Sequence, residues 1–156
     1  MKLYHGSNMP ISEIDLSKGK KGKDFGQGFY LSALHTQAYR MAELTVAKTG
    51  EGEPVVSEFL FDEDKIHDLK VLCFESYTKE WAEFIILNRR NRNDQQAHDY
   101  DIVYGPIADD TVGATINLFI RQYIGLDELI RRLKFVEPKY QYFFATPAAL
   151  TTLTKV

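Results

Sequence analysis

The sequence predicts a single α+β domain, and three observations support this. The chain has 156 residues, 44% of them apolar, a length and composition that suit one hydrophobic core. Strand-like and helix-like segments alternate along it, but no strand, glycine-rich turn and helix open the chain as in a dinucleotide-binding fold. There is no internal repeat and no low-complexity tail. We therefore expect residues 1–156 to form one domain.

Short strand patterns surround one helical pattern in the first half of the chain. Gly6 should stop the first strand, and a loop rich in lysine and glycine separates it from the second. Thr36 is a plausible cap, and Gly50 a plausible end, for the helix that follows. The expected elements, in order, are a strand at 2–5, a loop at 17–24, a strand at 28–32, a helix from 36 to about 48, and strands around 55–61 and 70–74.

The second half of the chain has the stronger helical patterns. Apolar side chains recur at helical spacing from Val112 to Tyr123, the clearest such run in the sequence. Gly105-Pro106 should stop the preceding strand, and Thr146 followed by Pro147 is typical of a helix start. The expected elements, in order, are a helix from about 78, a polar loop at 88–99, a strand at 100–104, helices at 112–123 and 126–133, a strand at 140–145, and a last helix from 146.

Composition argues against several functional classes. The net charge is −3, so the overall field does not favour nucleic acid. The single Cys73 cannot form an internal disulfide and fits a reducing compartment. The start lacks the apolar stretch of a secretory signal, and no apolar run is long enough to span a bilayer. We expect a soluble cytoplasmic protein with no membrane contact. The histidines and Cys73 are too scattered to predict a metal site.

Two motifs near the start are the most informative part of the sequence. They are Leu3-Tyr4-His5-Gly6-Ser7 and Phe25-Gly26-Gln27-Gly28-Phe29-Tyr30-Leu31-Ser32. Alternate residues of a strand share a face, so Phe29 and Leu31 are expected to enter the core while Tyr30 points the other way. Tyr30 would then present its ring beside Gly28, which leaves room for a ligand. A flat heteroaromatic group stacked on such a ring gains on the order of 1–3 kcal/mol.

In this order and at this distance, the two motifs resemble the nicotinamide pocket of the ADP-ribosyltransferase superfamily. In that superfamily a His-Gly pair and a Gly-x-Gly-aromatic-Tyr segment close around NAD. The resemblance implies a split β-sheet core with flanking helices. Residues 101–110, together with Asn88-Arg89, are similar to an uncharacterised bacterial branch of the superfamily. Members of that branch have been suggested to act as toxins beside small antitoxin proteins.

The resemblance implies NAD binding by residues of both motifs. His5 would donate its ring N–H to the adenosine-side ribose, the Gly6 backbone would pair with the nicotinamide carboxamide, and Tyr30 would stack on nicotinamide. A second aromatic residue on the following helix would complete the sandwich. Tyr39 has the aromatic ring that this role requires, whereas Met41 lies at the spacing expected for it. The sequence does not decide between the two residues. The expected NAD-binding residues are His5, Gly6, Ser7, Asp24, Gly28, Tyr30 and Tyr39.

The lysine-rich loop between the motifs has two interpretations. Charge runs of this kind are usually solvated. Because the loop at 18–24 lies between the two pocket segments, it could instead fold over NAD and place a lysine near the pyrophosphate. The sequence does not say which lysine. Asp24 either bonds a ribose hydroxyl or starts a turn.

The late strand raises the main question about chemistry. Many transferases of the superfamily have a glutamate there, which binds the 2′-hydroxyl of the nicotinamide ribose and supports the cationic transition state. Gln141 can hold that hydroxyl but brings no charge. Either Gln141 occupies the glutamate position and supports a slower, acceptor-dependent reaction, or it matches an accessory residue two places earlier and Phe143 fills the catalytic position.

The leading hypothesis is an NAD-dependent ADP-ribosyltransferase that releases nicotinamide and transfers ADP-ribose to a macromolecular acceptor. Its expected catalytic residues are His5, Tyr30 and Gln141, with NAD as substrate and no metal. The resemblance also implies a toxin with a small antitoxin partner. With water as the acceptor, the same pocket would be an NAD glycohydrolase. The competing class is a non-catalytic module that binds NAD, ADP-ribose or a protein partner.

Overall fold

Two β-sheets and five α-helices make up the computed structural model, which describes residues 1–156. The α+β class predicted from the sequence is confirmed. The strands are β1 (Lys2–Ser7), β2 (Phe29–Leu31), β3 (Val55–Phe61), β4 (Val71–Cys73), β5 (Ile102–Pro106), β6 (Tyr140–Phe144) and β7 (Leu153–Lys155). The helices are α1 (His35–Thr49), α2 (Lys79–Arg90), α3 (Asp110–Ile120), α4 (Leu126–Leu133) and α5 (Pro147–Leu150).

The sheets are short and mostly antiparallel. One sheet has the strand order β1-β3-β7, and the other has the order β2-β6-β5-β4. Only β4 and β5 run parallel. The two sheets meet at one point, where Tyr4 and Ser32 exchange both backbone hydrogen bonds at 2.8 Å each. Beyond that pair β1 and β2 form no further backbone hydrogen bonds, and we call the region between their unpaired edges the opening.

Two hydrophobic cores lie on opposite faces of the four-stranded sheet. The first joins residues of both sheets, among them Leu3, Phe29, Leu31, Phe59 and Phe144. The second lies between the four-stranded sheet and helices α2, α3 and α4, and it includes Phe25, Trp81, Val103, Ile116 and Phe143. The predicted burial of Phe29 and Leu31 is therefore confirmed. Because both faces of this sheet are covered, its strands have few exposed side chains.

Helix α1 packs directly on β1, and small residues make this contact possible. Ala38 and Ala42 are the buried residues of the helix. A Cβ at Gly6 would overlap the carbonyl oxygen of Ala38 and lie 2.8 Å from the backbone nitrogen of Ala42. Gly6 is therefore required by the close approach of helix and strand. The helix ends as predicted at Gly50, whose φ of 69° is left-handed.

Several expected element boundaries are wrong for identifiable reasons. Thr36 does not cap α1, because the Ser32 hydroxyl accepts from Leu34 N–H at 3.0 Å and the helix begins one residue earlier, at His35. The loop expected from 88 begins at 91, since α2 continues to Arg90. The helix expected to reach Tyr123 ends at Ile120, because Gln122 adopts a φ of 66°.

Three further expectations are wrong. Gly6 does not stop β1, which continues to Ser7 and pairs Gly6 with Val56. Gly105-Pro106 does not stop β5, which pairs with β6 as far as Pro106 opposite Tyr140. A proline is tolerated there because it is the last residue of the strand. The expected last helix is only the single turn α5, capped by Thr146 as predicted. The chain then forms β7, which pairs with β3.

No helix has the length and apolar character needed to cross a membrane.

Candidate functional site

The opening between β1 and β2 is the candidate site, and His5 lies at its edge. After the Tyr4–Ser32 pair, an antiparallel ladder would next pair Gly6 with Tyr30. Instead the Tyr30 carbonyl oxygen lies 2.7 Å from His5 Nδ1. The backbone groups of alternate strand residues point to the same edge. The N–H and C=O of Gly6 therefore face the opening, as those of Tyr4 face Ser32.

The hydrogen bond to Tyr30 fixes the proton on the His5 ring. A carbonyl oxygen can only accept, so Nδ1 donates and Nε2 of the neutral ring is an acceptor. The ring stacks on Phe29 at a centroid distance of 4.3 Å. Burial lowers the pKa of His5, although the bond to Tyr30 opposes the shift. The N–H expected to donate to a ribose is therefore occupied, and His5 can instead accept a hydroxyl proton at Nε2.

Tyr30 is held more tightly than the sequence predicts. Its hydroxyl donates to the Gly26 carbonyl at 2.7 Å and accepts from Phe25 N–H at 3.1 Å. Its ring packs on Phe143 at 4.8 Å between centroids, and burial raises the pKa of Tyr30 well above its ordinary value. The strand face expected to be open to a ligand is thus largely filled by the second core, and only part of the ring is exposed.

Gly28 also has a packing role. A Cβ there would overlap the ring of Phe143 and lie 2.6 Å from the Phe144 carbonyl oxygen. The room beside Tyr30 that was expected to accept a ligand is occupied by Phe143. At the end of β1, Ser7 Oγ contacts Asn8 Oδ1 at 3.4 Å, and its side chain is partly buried.

Asp24 anchors its loop. One carboxylate oxygen accepts from Arg89 Nε at 2.8 Å, and the other accepts from Ala108 N–H at 3.2 Å. Both side chains of this ion pair are at least three-quarters buried. Because both oxygens are engaged within the protein, the expected bond to a ribose hydroxyl would require breaking one of these contacts. Asp24 instead joins the lysine-rich loop to α2 and to the segment after β5.

Gln141 lies on β6 with a free side chain. Its cross-strand neighbour is Gly105, so no side chain opposes it. Phe143 lies opposite Tyr30, and Gln141, two residues before Phe143, therefore lies on the same face of the sheet as Tyr30. Because two residues of a strand span about 6.6 Å, Gln141 lies about that far along β6 from Phe143. The Gln141 amide forms no hydrogen bond within the protein and is partly exposed.

Gln37 is a further candidate residue, and no motif of the sequence indicates it. It lies in the first turns of α1, and its Nε2 donates to the Tyr140 carbonyl at 3.0 Å, next to Gln141. Its Oε1 is buried and has no hydrogen-bond partner. An unpartnered buried acceptor is costly, so this oxygen is a natural contact for a donor on a ligand. The Gln37–Tyr140 bond joins residues 103 positions apart, and no local pattern could have predicted it.

The same contact shows which of Tyr39 and Met41 shares a helix face with Gln37. Residues two apart on a helix point about 200° away from each other, whereas residues four apart share a face. Gln37 directs its face of α1 toward β6, so Met41 lies on that face and Tyr39 points away from it. Both side chains are exposed, Tyr39 by 43% and Met41 by 51%. Met41, and not Tyr39, therefore lies on the face of α1 that bears Gln37.

The lysine-rich loop is held down by the segment that follows α2. Lys21 forms an ion pair with Asp94, and the side chain of Gln96 donates to the Gln27 carbonyl. His98 Nε2 donates to the Phe25 carbonyl at 2.7 Å, while His98 Nδ1 accepts from Tyr100 N–H at 3.0 Å. We call the contacts of 21–27 with 89–98 the loop clasp. It fixes the backbone that leads into β2.

These features define an α+β protein whose two sheets are joined by one backbone pair, with an unpaired edge on its first strand. The chain belongs to the family whose model is described as protein of unknown function (DUF3990), which matches residues 1–154. No curated protein and no solved structure matches the chain. The structure has no cluster of three or more His, Cys, Asp or Glu side chains that could hold a metal ion.

Proposed function

We propose that this protein is an NAD-dependent ADP-ribosyltransferase and that NAD binds in the opening between β1 and β2. The observation that best supports the proposal is the end of backbone pairing between these strands after the Tyr4–Ser32 pair. It leaves the N–H and C=O of Gly6 directed at the opening. A carboxamide is both a donor and an acceptor, so it complements such an edge with two hydrogen bonds.

The remaining groups fit the other parts of the nucleotide. His5 Nε2 accepts a hydroxyl proton from the adenosine-side ribose. Gln141 orients the 2′-hydroxyl of the nicotinamide ribose with its free amide, and Gln37 Oε1 accepts from a second donor of the same region. Met41 packs on the nicotinamide ring, and the exposed part of Tyr30 forms the opposite wall.

The reaction breaks the bond between nicotinamide nitrogen and ribose C1′. The bonding pair leaves with nicotinamide, which departs neutral, and an oxocarbenium-like centre develops at C1′. A nucleophile of the acceptor then bonds to C1′ and loses its proton. Gln141 supplies no negative charge to this centre, so positioning must provide most of the rate enhancement. The acceptor is proposed to be a macromolecule in the cytoplasm, and a small antitoxin protein is the proposed partner.

The neutral Gln141 also favours a second candidate, a module that binds NAD or ADP-ribose without breaking it. Binding needs the edge of Gly6 and the ring of His5, whereas bond cleavage needs stabilisation of positive charge. A third outcome, hydrolysis of NAD, uses the same pocket with water as the acceptor. These candidates differ in what happens to nicotinamide.

The test is release of nicotinamide from NAD by the purified protein, with and without cell lysate. The variant to compare is Gln141→Ala, because this side chain has no bond in the protein and its removal should not disturb the fold. Tyr30→Ala is less useful, since that ring belongs to the second core. The matched control is Gln95→Ala, at an exposed loop position.

We expect release that depends on lysate and falls at least tenfold in Gln141→Ala but not in Gln95→Ala. Release without lysate would indicate a glycohydrolase. NAD binding without release under either condition would indicate the binding module. If the protein neither binds NAD nor releases nicotinamide, the proposal is contradicted altogether.

A further inference from the structure

Lys48 lies near the end of β1, because side-chain hydrogen bonds join the residue after β1 to the end of α1. The side chain of Asn8, the residue after β1, donates to Thr49 Oγ1 at 3.5 Å and to the Glu51 carbonyl at 3.3 Å. Lys48 is in the last turn of α1, immediately before Thr49. The end of the helix is therefore held next to the strand that bears His5 and Gly6, and the side chain of Lys48 can reach the end of that strand.

Lys20 reaches the same region from the other side. Gly19 packs against the start of β2, where an added Cβ would lie 2.7 Å from the Gly28 carbonyl oxygen and 2.8 Å from its nitrogen. Gln27 Nε2 donates to the Gly19 carbonyl at 2.7 Å and to the Ser17 carbonyl at 3.2 Å. These contacts hold the backbone of the loop across β2, and Lys20 follows directly.

Neither lysine has an anionic partner. The ion pairs of the protein involve Lys2, Lys21, Lys65, Lys70, Lys79, Arg89, Arg131 and Arg132. Lys20 and Lys48 are exposed and lie at the same end of the opening, because Gly19 packs against Gly28 before β2 and Thr49 bonds to Asn8 after β1. Contact with Lys48, and then repulsion by Lys23, lowers the pKa of Lys20. Two cations that face each other without a counter-ion favour an anion between them.

We propose that Lys20 and Lys48 form a subsite for a diphosphate group at the mouth of the opening between β1 and β2. The assignment of this diphosphate to NAD rests on the proposed function. A diphosphate offers several oxygens, so each ammonium group can form a charge-assisted hydrogen bond to it. The subsite lies between the strand of His5 and the strand of Tyr30. The sequence indicates only that a lysine of the loop at 18–24 could lie near a pyrophosphate. No local pattern indicates Lys48, which belongs to α1.

The experiment is calorimetric titration of the full chain with inorganic pyrophosphate and, separately, with ADP-ribose. The variants are Lys20→Gln, Lys48→Gln and the double exchange, with Lys18→Gln as the control, an exposed lysine of the same loop without an ion pair. Each single exchange should weaken pyrophosphate binding about tenfold by removing one charge-assisted bond. Lys18→Gln should bind as the wild type does. ADP-ribose should bind more tightly than pyrophosphate and depend on the same two lysines.

The outcomes separate the subsite from the proposed activity. If wild-type protein binds pyrophosphate with this lysine dependence but neither binds nor cleaves NAD, the anion subsite stands and the proposed function falls. If nicotinamide is released and the double exchange leaves KM for NAD unchanged, the function stands and the subsite is overturned. The absence of pyrophosphate binding by the wild type overturns the subsite. ADP-ribose binding no tighter than pyrophosphate overturns its assignment to the nucleotide.

Discussion

At the scale of single residues, the proposed reaction depends on the amide of Gln141, where a carboxylate would stabilise positive charge better. Gln141 has no side chain opposite it, because its cross-strand neighbour is Gly105. Its own amide forms no bond within the protein, so the position is available for a ligand and for substitution. Glutamate is close to glutamine in size and shape. An exchange therefore tests the effect of charge with little change in packing.

Gln141→Glu is expected to accelerate nicotinamide release. A unit charge about 4 Å from the developing cation, at an effective dielectric near 20, stabilises it by about 4 kcal/mol, and each 1.36 kcal/mol changes a rate about tenfold. Because the side chain is partly exposed and screened, we expect a gain of roughly ten- to a thousandfold. The measurement is the single-turnover rate at saturating NAD and pH 8 or so, where the new carboxylate is ionised.

Gln95→Glu is the matched control, since it adds the same charge on the exposed loop after α2. It should leave the rate unchanged. An unchanged or lower rate in Gln141→Glu would mean that Gln141 is not at the catalytic position. The alternative placement, with Phe143 at that position, would then be preferred, and since Phe143 is completely buried, a non-catalytic role would follow.

At the scale of secondary-structure elements, the site depends on how closely α1 lies against β1. The helix provides Gln37 and Met41 on one side and Lys48 at its end. Its distance from the strand is set by Gly6 on one surface and by Ala38 and Ala42 on the other. The glycine that resembles a ligand-binding residue thus has a structural reason of its own. A stability measurement can isolate that reason.

Gly6→Ala should destabilise the fold by about 3 kcal/mol, the upper part of the usual range for overpacking. The added methyl group would meet backbone atoms of Ala38 and Ala42, and backbone cannot move aside as a flexible side chain can. The measurement is the free energy of unfolding in urea. The control is Gly125→Ala, because a Cβ at Gly125 has no neighbour within 4 Å. Equal stabilities of the two variants would show that α1 does not pack on Gly6 this closely.

Most elements could be predicted from local patterns, and the failures share a physical cause. Strands and helices with their own apolar periodicity or caps, such as α4 and the turn capped by Thr146, lie where expected. The strand β7 was missed because its three residues have no distinctive pattern and depend on pairing with β3. Gly105-Pro106 was expected to be a turn because local propensity favours one, but pairing with β6 extends the strand.

The candidate site was predictable only in part, for the same reason. His5 and Tyr30 come together as their motifs suggest, through a bond between the His5 ring and the Tyr30 backbone. The proton position on His5, however, follows from that bond and could not be known beforehand. The burial of the Tyr30 ring depends on Phe143, more than 100 residues away in sequence. Gln37 and Lys48 owe their positions to the docking of a helix, which local sequence does not encode.

At the scale of the whole molecule, the loop clasp connects the lysine-rich loop to the second core. Asp24 and Arg89 form its buried ion pair, and Lys21 and Asp94 form an exposed one. The largely buried pair is less screened by salt than the exposed one, and removing one of its partners would leave the other charge buried without compensation. His98 packs against Phe84 at 5.0 Å and holds Phe25, which itself belongs to the core. The state of this one ring therefore affects both the loop and the core.

The free energy of unfolding should decrease below about pH 6.5 because two histidines are protonated more readily in the unfolded chain. Burial lowers the pKa of both His5 and His98. His98 Nδ1 accepts from Tyr100 N–H, so a second ring proton would break that bond. The unfolded chain binds these protons near pH 6.5 and the folded protein only at lower pH. The free energy of unfolding should thus be highest above about pH 6.5 and fall below it, by at most about 1.4 kcal/mol per pH unit for each histidine.

Urea unfolding at pH 7.5, 6.5 and 5.5 measures this slope without interference from the carboxylates, whose unfolded pKa values lie near 4. Glu128, for example, has its pKa lowered to about 2 by hydrogen bonds from Arg131 and Arg132, and unfolding is linked to its protonation only below this window. His98→Gln should reduce the slope, since an amide can still donate to the Phe25 carbonyl but does not titrate. His67→Gln, at an exposed position, should keep the full slope. If His98→Gln loses stability with acid as steeply as the wild type, His98 is not held neutral by the clasp, and the coupling of loop and core through its ring is wrong.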